Sequence, residues 1–210
     1  MPDFAKLNQT VIEGNQAKAK ELTQGLIEEG VDPVAIINEG LIPGMGVVGA
    51  RFKAGEMFVP EVMMSAKAMS AGISLVKPLI ADKDMPSAGK IVVGTVKGDL
   101  HDIGKNLVIM MLESNGFSVI DLGVDVKPEA FVKAVKEHKA QVIGMSALLT
   151  TTMLNMKETI TILEEEGIRE RVKVIIGGAP VSKTFADQIG ADGYAADAAA
   201  AADLCKVLVG

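Results

Sequence analysis

The spacing of apolar residues changes partway along the chain. Before residue 81 apolar positions recur every three or four residues, which predicts helices. After residue 89 short apolar runs of strand length alternate with amphipathic helical segments. The stretch Ala81–Gly89 between them is polar and carries proline and glycine. We therefore predict two domains, a helical one over 1–88 and a mixed one over 89–210.

The first domain is predicted to be an all-α helical bundle. Asn15 is placed to cap one helix that stops at Gly30, and Asp32-Pro33 combines a capping residue with proline at the first helical position. A longer helix begins at Val59-Pro60. Its apolar stripe comprises Val62, Met63, Ala66, Met69 and Ile73. We interpret the methionines of this helix as core residues, since methionine commonly fills irregular space in cores.

The second domain is predicted to be a doubly wound, flavodoxin-like (Rossmann-type) α/β fold with a five-stranded parallel sheet. The predicted strands are Ile91–Val96, Phe117–Leu122, Gln141–Met145, Val172–Ile176 and a short one near Gly193–Ala195. Each is followed by a helical segment, and the apolar runs indicate burial on both faces. Without a dinucleotide fingerprint, the strand order 2-1-3-4-5 is favoured.

This strand order predicts where a ligand binds. In such sheets ligands lie outside the carboxyl ends of the strands, where the order reverses. Here that position falls between the loops after the first and third strands, Lys97–Gly104 and Ser146–Thr152.

Composition narrows the possible partners. The formal net charge is −6, which argues against nucleic acid as a main partner, since phosphate binding needs a basic surface. The single cysteine, Cys205, cannot form a disulfide within the chain, so a reducing cytoplasm is the simplest location. The N-terminus lacks the pattern of a signal peptide, and no apolar run approaches the roughly 18 residues of a membrane span. We expect neither nucleic acid nor a membrane as partner.

The first of the two loops carries a histidine between two aspartates. His101 is one of only two histidines, and Asp99 is placed to accept the hydrogen of one ring nitrogen. Such a carboxylate orients the imidazole and raises its basicity, which suits a metal ligand. An equally weighted alternative is that Asp99 and Asp102 cap the following helix and that His101 is a surface residue.

The other candidate ligands do not complete a metal site. His138 lies in a polar helix end and is interpreted as solvated, and Cys205 is far along the chain. One histidine holds a bare ion weakly, but it can supply one axial position to a metal already held by a macrocycle. This chemistry favours a tetrapyrrole-type cofactor.

Three elements in order resemble the signature of cobalamin-binding domains. They are Asp99-x-His101-x-x-Gly104, Ser146-x-Leu148, and Gly177-Gly178, each at a predicted strand end. The resemblance covers residues 89–210. It implies that cobalamin or a related corrinoid is the cofactor, that His101 replaces the cofactor's own base on cobalt, and that the nucleotide tail threads into the sheet.

The resemblance also assigns roles residue by residue. His101 becomes the metal ligand and, with Asp99, the pair at the reacting centre, while Thr152 takes the place of a serine that continues the hydrogen-bond chain in the family. On this view Gly178→Val should fold but accept complete cobalamin poorly. The cofactor-binding residues so implied are Gly98, Asp99, Leu100, His101, Asp102, Ile103, Gly104, Ser146, Leu148, Thr150, Thr152, Gly177, Gly178 and Ala198.

The segment Gly49–Val62 resembles the helical cap that precedes the cobalamin domain of methionine synthase. In that cap a phenylalanine and an aliphatic residue seven positions later cover the methyl-bearing face of the corrinoid. Phe52 and Val59 have this spacing, and they complete the implied cofactor site. The alternative is that both are ordinary bundle-core residues.

With a cap, a binding domain and no further domain, the chain is similar to the small corrinoid proteins of anaerobic methyltransferase systems. The resemblance implies a methyl carrier without turnover of its own. Its implied partners are a substrate-specific methyltransferase (for methylamines, betaine, methanol or methoxyaromatics), a second methyltransferase acting on a folate or thiol coenzyme, and a reductive activation protein. A corrinoid-sensing regulator and an adenosyl-corrinoid mutase subunit remain alternatives. A phosphate-accepting receiver domain shares the fold but leaves Ser146-x-Leu148 and the cap unexplained.

Overall fold

The computed structural model of the protein describes residues 2–80 and 87–210. Most of the polar stretch predicted to separate the domains, Ala81–Gly89, lies outside these residues. The chain forms two compact units, Met1–Ser87 with Ser114–Gly116, and Ala88–Glu113 with Phe117–Gly210.

The first unit is helical, as predicted. Its elements are α1 (Phe4–Ile12), α2 (Gln16–Glu28), the short α3 (Pro33–Ala35), a π-helical turn (Ile36–Leu41), α4 (Ile42–Lys53), α5 (Val59–Val76) and a closing 3₁₀ turn (Lys77–Leu79). The predicted caps are present: the Asn15 side chain accepts the Lys18 amide at 3.1 Å, and the Asp32 side chain accepts the Ala35 amide at 3.2 Å. These bonds satisfy backbone donors that a helix start leaves open.

The stripe predicted for α5 is correct except at Met63. Val62, Ala66 and Met69 are buried, but Met63 is 38 % exposed and Met64 is 55 % exposed. Neighbouring helix positions point about 100° apart. Since Val62 faces the core, Met63 and Met64 turn away from it, and the interpretation of these two methionines as core residues is wrong.

One helical run, Pro33–Lys53, is long and apolar enough to cross a membrane by length and composition alone. The sequence-based expectation overlooked it because Asn38 and Glu39 interrupt the apolar residues, whereas the mean hydropathy of the run is still 1.3. Ile36 and Met45, within this run, are fully buried. The core helices of compact proteins meet the same criterion, and 39 % of the apolar window in this run is buried within the described structure.

The second unit is the predicted parallel sheet. Its elements are β1 (Lys90–Thr95), α6 (Ile103–Ser114), β2 (Ser118–Asp121), α7 (Pro128–His138), β3 (Val142–Ser146), α8 (Leu154–Glu165), β4 (Lys173–Gly177), α9 (Lys183–Ile189), β5 (Gly193–Ala195) and α10 (Ala198–Val209). The strand order β2-β1-β3-β4-β5 confirms the prediction, and every pairing is parallel.

The core of this unit lies between the sheet and its helices. Val92, Ile143 and Ile176 are almost completely buried, together with Phe131 of α7. Gly94 in β1 makes room for Phe131, because a Cβ at Gly94 would lie 2.9 Å from the Phe131 ring. The central strands β1 and β3 pair with Thr95 opposite Ser146, so the loops that follow them begin at the same level.

Candidate functional site

The loop after β1 carries the predicted site and is held by hydrogen bonds along its length. Asn155 donates its side-chain amide to the Lys97 carbonyl at 3.1 Å, and the Thr95 hydroxyl donates to the His101 carbonyl at 2.9 Å. The Asp99 amide donates to the Val96 carbonyl at 3.1 Å. The segment from residue 97 to residue 101 therefore has a defined conformation, although Gly98 and His101 are exposed.

The Asp99 side chain is fully buried and accepts hydrogen bonds from both loops. Its Oδ1 lies 2.7 Å from Nδ1 of His101. Its Oδ2 accepts the Leu148 amide at 2.7 Å and the Thr152 hydroxyl at 3.0 Å. The loops predicted to meet at the strand-order reversal are thus joined through one carboxylate.

These donors decide the ionisation of Asp99. Burial alone raises the pKa of Asp99, but hydrogen bonds from the Leu148 amide, the His101 ring and amide, and the Thr152 hydroxyl outweigh burial and hold that pKa well below its usual range. Asp99 is therefore an anion at neutral pH, and it favours the His101 tautomer that donates from Nδ1.

The alternative in which Asp99 caps the following helix is wrong. Helix α6 begins at Ile103, whereas the Asp99 side chain accepts the amides of His101, Leu148 and Leu149, none of which belongs to that helix. Asp102 does act locally, since its side chain accepts the Asn106 side-chain amide at 3.1 Å.

The His101 side chain is 53 % exposed, while its Nδ1 is held by Asp99. Its Nε2 makes no hydrogen bond with the residues that the structure describes. In the tautomer set by Asp99, this second nitrogen carries a lone pair. The arrangement offers one fixed nitrogen ligand to a metal held by other donors.

Exposed large apolar side chains lie next to His101 in sequence, in the loop after β3 and at the start of α8. They are Leu100 (72 % exposed), Ile103 (83 %), Leu148 (44 %), Leu149 (42 %) and Leu154 (63 %). Neighbouring large apolar residues at such exposure indicate a surface that a ligand covers. One imidazole nitrogen with apolar side chains beside it fits a metal macrocycle with apolar faces. Within residues 2–80 and 87–210, no three His, Cys, Asp or Glu side chains cluster as a protein-only metal site requires.

The glycine pair at the end of β4, Gly177 and Gly178, has a structural role of its own. Gly178 has a φ of +123°, and a Cβ there would lie 1.9 Å from the Ala147 carbonyl oxygen. At Gly177 a Cβ would lie 2.9 Å from the Ala195 carbonyl oxygen. The backbones at the ends of β3, β4 and β5 thus approach too closely for side chains. The expectation of a folded Gly178→Val variant is wrong, because valine cannot fit there without displacing the backbone.

The remaining predicted residues differ in accessibility. Thr150 is exposed, Ser146 at the end of β3 is half-buried, and Ala198, the first residue of α10, is 4 % exposed. In the helical unit Phe52 is half-buried in α4, and Val59 at the start of α5 is 37 % exposed. Their roles toward a cofactor stay predictions.

Sequence analysis missed the contribution of the loop after β2. Asp125 accepts the Gly98 amide through Oδ1 at 2.7 Å, and Lys105 forms an ion pair with Asp121 at 2.8 Å. In the sequence these residues are marked only as polar positions near a strand end, Asp121 and Asp125, on either side of Gly123. The strand order reverses between β1 and β3, so it predicts a ligand site at the loops after those two strands and not at the loop after β2.

The chain is similar to known proteins in both sequence and structure. A family model described as a B12 binding domain matches residues 89–203, and a second model with the same description matches residues 4–77. A corrinoid protein of Desulfitobacterium hafniense is 48 % identical over 98 % of this chain and 96 % of its own length. A dimethylamine corrinoid protein of Methanosarcina acetivorans is 49 % identical over 85 % of this chain and 84 % of its own.

Among solved structures, the methanol:cobalamin methyltransferase complex of Methanosarcina barkeri contains a similar chain. It superposes with a TM-score of 0.87 at 37 % identity, covering 97 % of this chain and 78 % of that one. Sequence and structure therefore give the same relationship along nearly the whole chain.

Proposed function

Because this chain belongs to the B12-binding family of corrinoid proteins, we propose that it carries a methyl group on cobalt between two methyltransferases. Its cofactor is a corrinoid, and its relatives are corrinoid proteins of methyltransferase systems. When bound, the corrinoid supplies a cobalt centre that accepts and releases a methyl group. Nε2 of His101 would hold the cobalt, Asp99 would orient that imidazole, and the exposed apolar side chains of the two loops would hold the ring.

The observation that carries this proposal is the Asp99–His101 pair. The 2.7 Å contact fixes the imidazole at Nδ1 and leaves Nε2 for the metal. The Thr152 hydroxyl and the Leu148 amide in turn donate to the Asp99 carboxylate. The orientation of the His101 ring therefore depends on these two contacts as well as on its own contact with Asp99. Leu100 and Ile103, which flank the histidine, are proposed to pack against the corrin.

The proposed partners follow from the relatives. One solved relative is a complex of a methanol:cobalamin methyltransferase, and others are named for dimethylamine and trimethylamine. We propose that this chain docks to a substrate-specific methyltransferase for a methylamine, betaine, methanol or methoxyaromatic donor. A second methyltransferase then passes the methyl group to a folate or thiol coenzyme, and a reductive activation protein restores the cofactor. A cytoplasmic location is proposed, because this chemistry needs a reducing compartment.

A reconstitution experiment tests the function. Protein loaded with hydroxocobalamin and reduced should accept a methyl group in the presence of a purified methyltransferase for one of the four donor classes, seen as a change in the visible spectrum. His101→Ala should lose most of the transfer, because the protein no longer holds the cobalt through its own imidazole. His138→Ala is the matched control, since that histidine is exposed at the end of α7.

Three results would count against the proposal. They are failure with all four donor classes, an unchanged spectrum in His101→Ala, and an adenosyl upper ligand on protein isolated from its host. The last result would support a mutase subunit. Specific binding to promoter DNA would support a corrinoid-sensing regulator.

A further inference from the structure

We propose that Asp125, in the loop between β2 and α7, is a positioning residue for His101. It acts through Gly98 and Asp99, and it holds the loop after β1 in the conformation that presents the imidazole. The inference rests on the proposed function, because it concerns the same histidine. Asp125 lies 24 positions beyond His101 in sequence, outside every motif used to recognise the site.

Two hydrogen bonds join Asp125 to the histidine loop. Its Oδ1 accepts the Gly98 amide at 2.7 Å, and its own amide donates to the Asp99 carbonyl at 3.0 Å. Asp125 therefore binds the peptide groups on both sides of the Gly98–Asp99 junction. A change in this junction would redirect the Asp99 carboxylate and with it Nδ1 of His101.

Neighbouring residues extend this contact into a short backbone ladder. The Thr95 amide donates to the Gly123 carbonyl at 3.0 Å, and the Val126 amide donates to the Thr95 carbonyl at 3.0 Å. The two segments continue the parallel pairing of β1 and β2 past the ends of both strands. Asp125 lies between Gly123 and Val126, the two residues that bind Thr95, and from there it reaches the loop after β1.

The backbone of Asp125 has an unusual conformation. Its φ is +53°, in the left-handed region, which few non-glycine residues adopt and in which aspartate and asparagine are the better tolerated ones. Among the described residues only one other non-glycine, Lys139, shares this conformation, and Lys139 terminates helix α7. Asp125 ends no helix. Unfavourable backbone held by surrounding contacts is typical of residues that orient a functional group.

Three variants separate the side chain from the backbone. Asp125→Asn keeps an oxygen acceptor and tolerates the left-handed conformation, so it should resemble the wild type. Asp125→Gly adopts that conformation freely but lacks the acceptor, so it should fold and lose only the bond to Gly98. Lys139→Gly is the matched control, a left-handed non-glycine replaced at a site without contact to the loop. Circular dichroism melts check that all three fold.

The first readout needs no cofactor. In the apoprotein, hydrogen exchange of the Gly98 amide should quicken on the order of tenfold in Asp125→Gly, since the side-chain acceptor of that amide is lost. It should stay within about twofold of wild type in Asp125→Asn and Lys139→Gly. Unchanged exchange at Gly98 in Asp125→Gly would overturn the proposal.

The second readout follows the ligand. With bound cobalamin reduced to cobalt(II), an axial nitrogen splits the electron paramagnetic resonance lines into triplets, and the fraction of split signal should fall in Asp125→Gly alone. A wild type with split lines and an equally split Asp125→Gly would overturn the role of Asp125 and leave the proposed function intact. A wild type without nitrogen splitting would instead overturn the assignment of His101 as ligand, and with it the role of Asp125.

Discussion

At the scale of single residues, Asp99 determines the charge of the site and the tautomer of His101. Its carboxylate is fully buried, yet it is charged because protein donors replace the water it loses. The donors come from both loops, and three of them are backbone amides, of His101, Leu148 and Leu149. Because one carboxylate accepts all these hydrogen bonds, we expect the stability of the fold to depend on both of its oxygens being acceptors.

Replacing Asp99 by asparagine tests this ionic state through stability. Because the folded pKa of Asp99 lies below its unfolded value of 3.8, its charge stabilises the fold above that pH, and this contribution is lost as pH falls below 3.8 toward the folded pKa. At pH 7 Asp99→Asn should unfold about 1–3 kcal/mol more easily, since an amide nitrogen would then face hydrogen-bond donors.

The measurement is urea unfolding of both apoproteins from pH 7 to pH 2. The gap between the two proteins should narrow as the pH falls below 3.8, because protonation removes the same charge from the wild type. A gap independent of pH would show that the charge of Asp99 contributes nothing to folding.

At this scale the sequence predicts hydrogen bonds between side chains, but it does not predict which backbone amides a side chain binds. The spacing of Asp99 and His101 was enough to predict their pairing, and the hydroxyl of Thr152 was correctly included. The amide of Leu148 could not be found in this way, because every residue but proline has one. Asp125 was missed for a related reason: its partner is the Gly98 amide, which leaves no trace in the sequence.

At the scale of elements, the start of helix α6 is fixed by an ion pair. Lys105 is 3 % exposed, and its Nζ lies 2.8 Å from both carboxylate oxygens of Asp121 at the end of β2. The Asp121 side chain is 43 % exposed, so only one partner is deeply buried. Since α6 begins two residues after His101, this pair secures the point where the histidine loop ends.

The unequal burial predicts unequal costs of removing each partner. Asp121→Asn leaves a buried ammonium group without its counter-charge and should destabilise the fold by about 1–3 kcal/mol. Lys105→Met removes the buried charge, fills similar space and leaves Asp121 to water, so we expect a loss of about 1 kcal/mol or less. Urea midpoints of the two apoproteins check the order, and a larger loss in Lys105→Met would contradict it.

Elements were predictable where a periodic pattern and its boundaries agree. All five strands and their order follow from apolar runs followed by helices. The π-helical turn Ile36–Leu41 could not be predicted in this way, because one extra residue in a helical turn leaves the apolar composition of the segment unchanged. The orientation of Met63 was predicted wrongly because the buried stripe of α5 was taken to include both Val62 and its neighbour Met63.

At the scale of the whole molecule, the histidine site is built within one compact unit. Every hydrogen bond described for the Asp99 and His101 side chains comes from residues 99–152 of the α/β unit. The division of the chain into domains 1–88 and 89–210 stays a prediction. If it is correct, the histidine site should not need the helical domain in order to form.

A fragment spanning residues 88–210 tests this independence. It should unfold in a single transition and, with hydroxocobalamin bound and reduced to cobalt(II), show nitrogen splitting that the same fragment with His101→Ala lacks. An insoluble fragment, or one that binds without nitrogen splitting, would show that the site depends on residues before 88.

The strand order also has a consequence for the order of events on the ribosome. Asp99 and its donor Leu148 are 49 residues apart. At about 5–20 residues per second, translation reaches Leu148 roughly 2–10 s after Asp99. During that interval the carboxylate lacks the donors of Leu148, Leu149 and Thr152, because β3 is not yet beside β1. We therefore expect stable loading of the corrinoid to follow synthesis of the loop after β3, which supplies these donors.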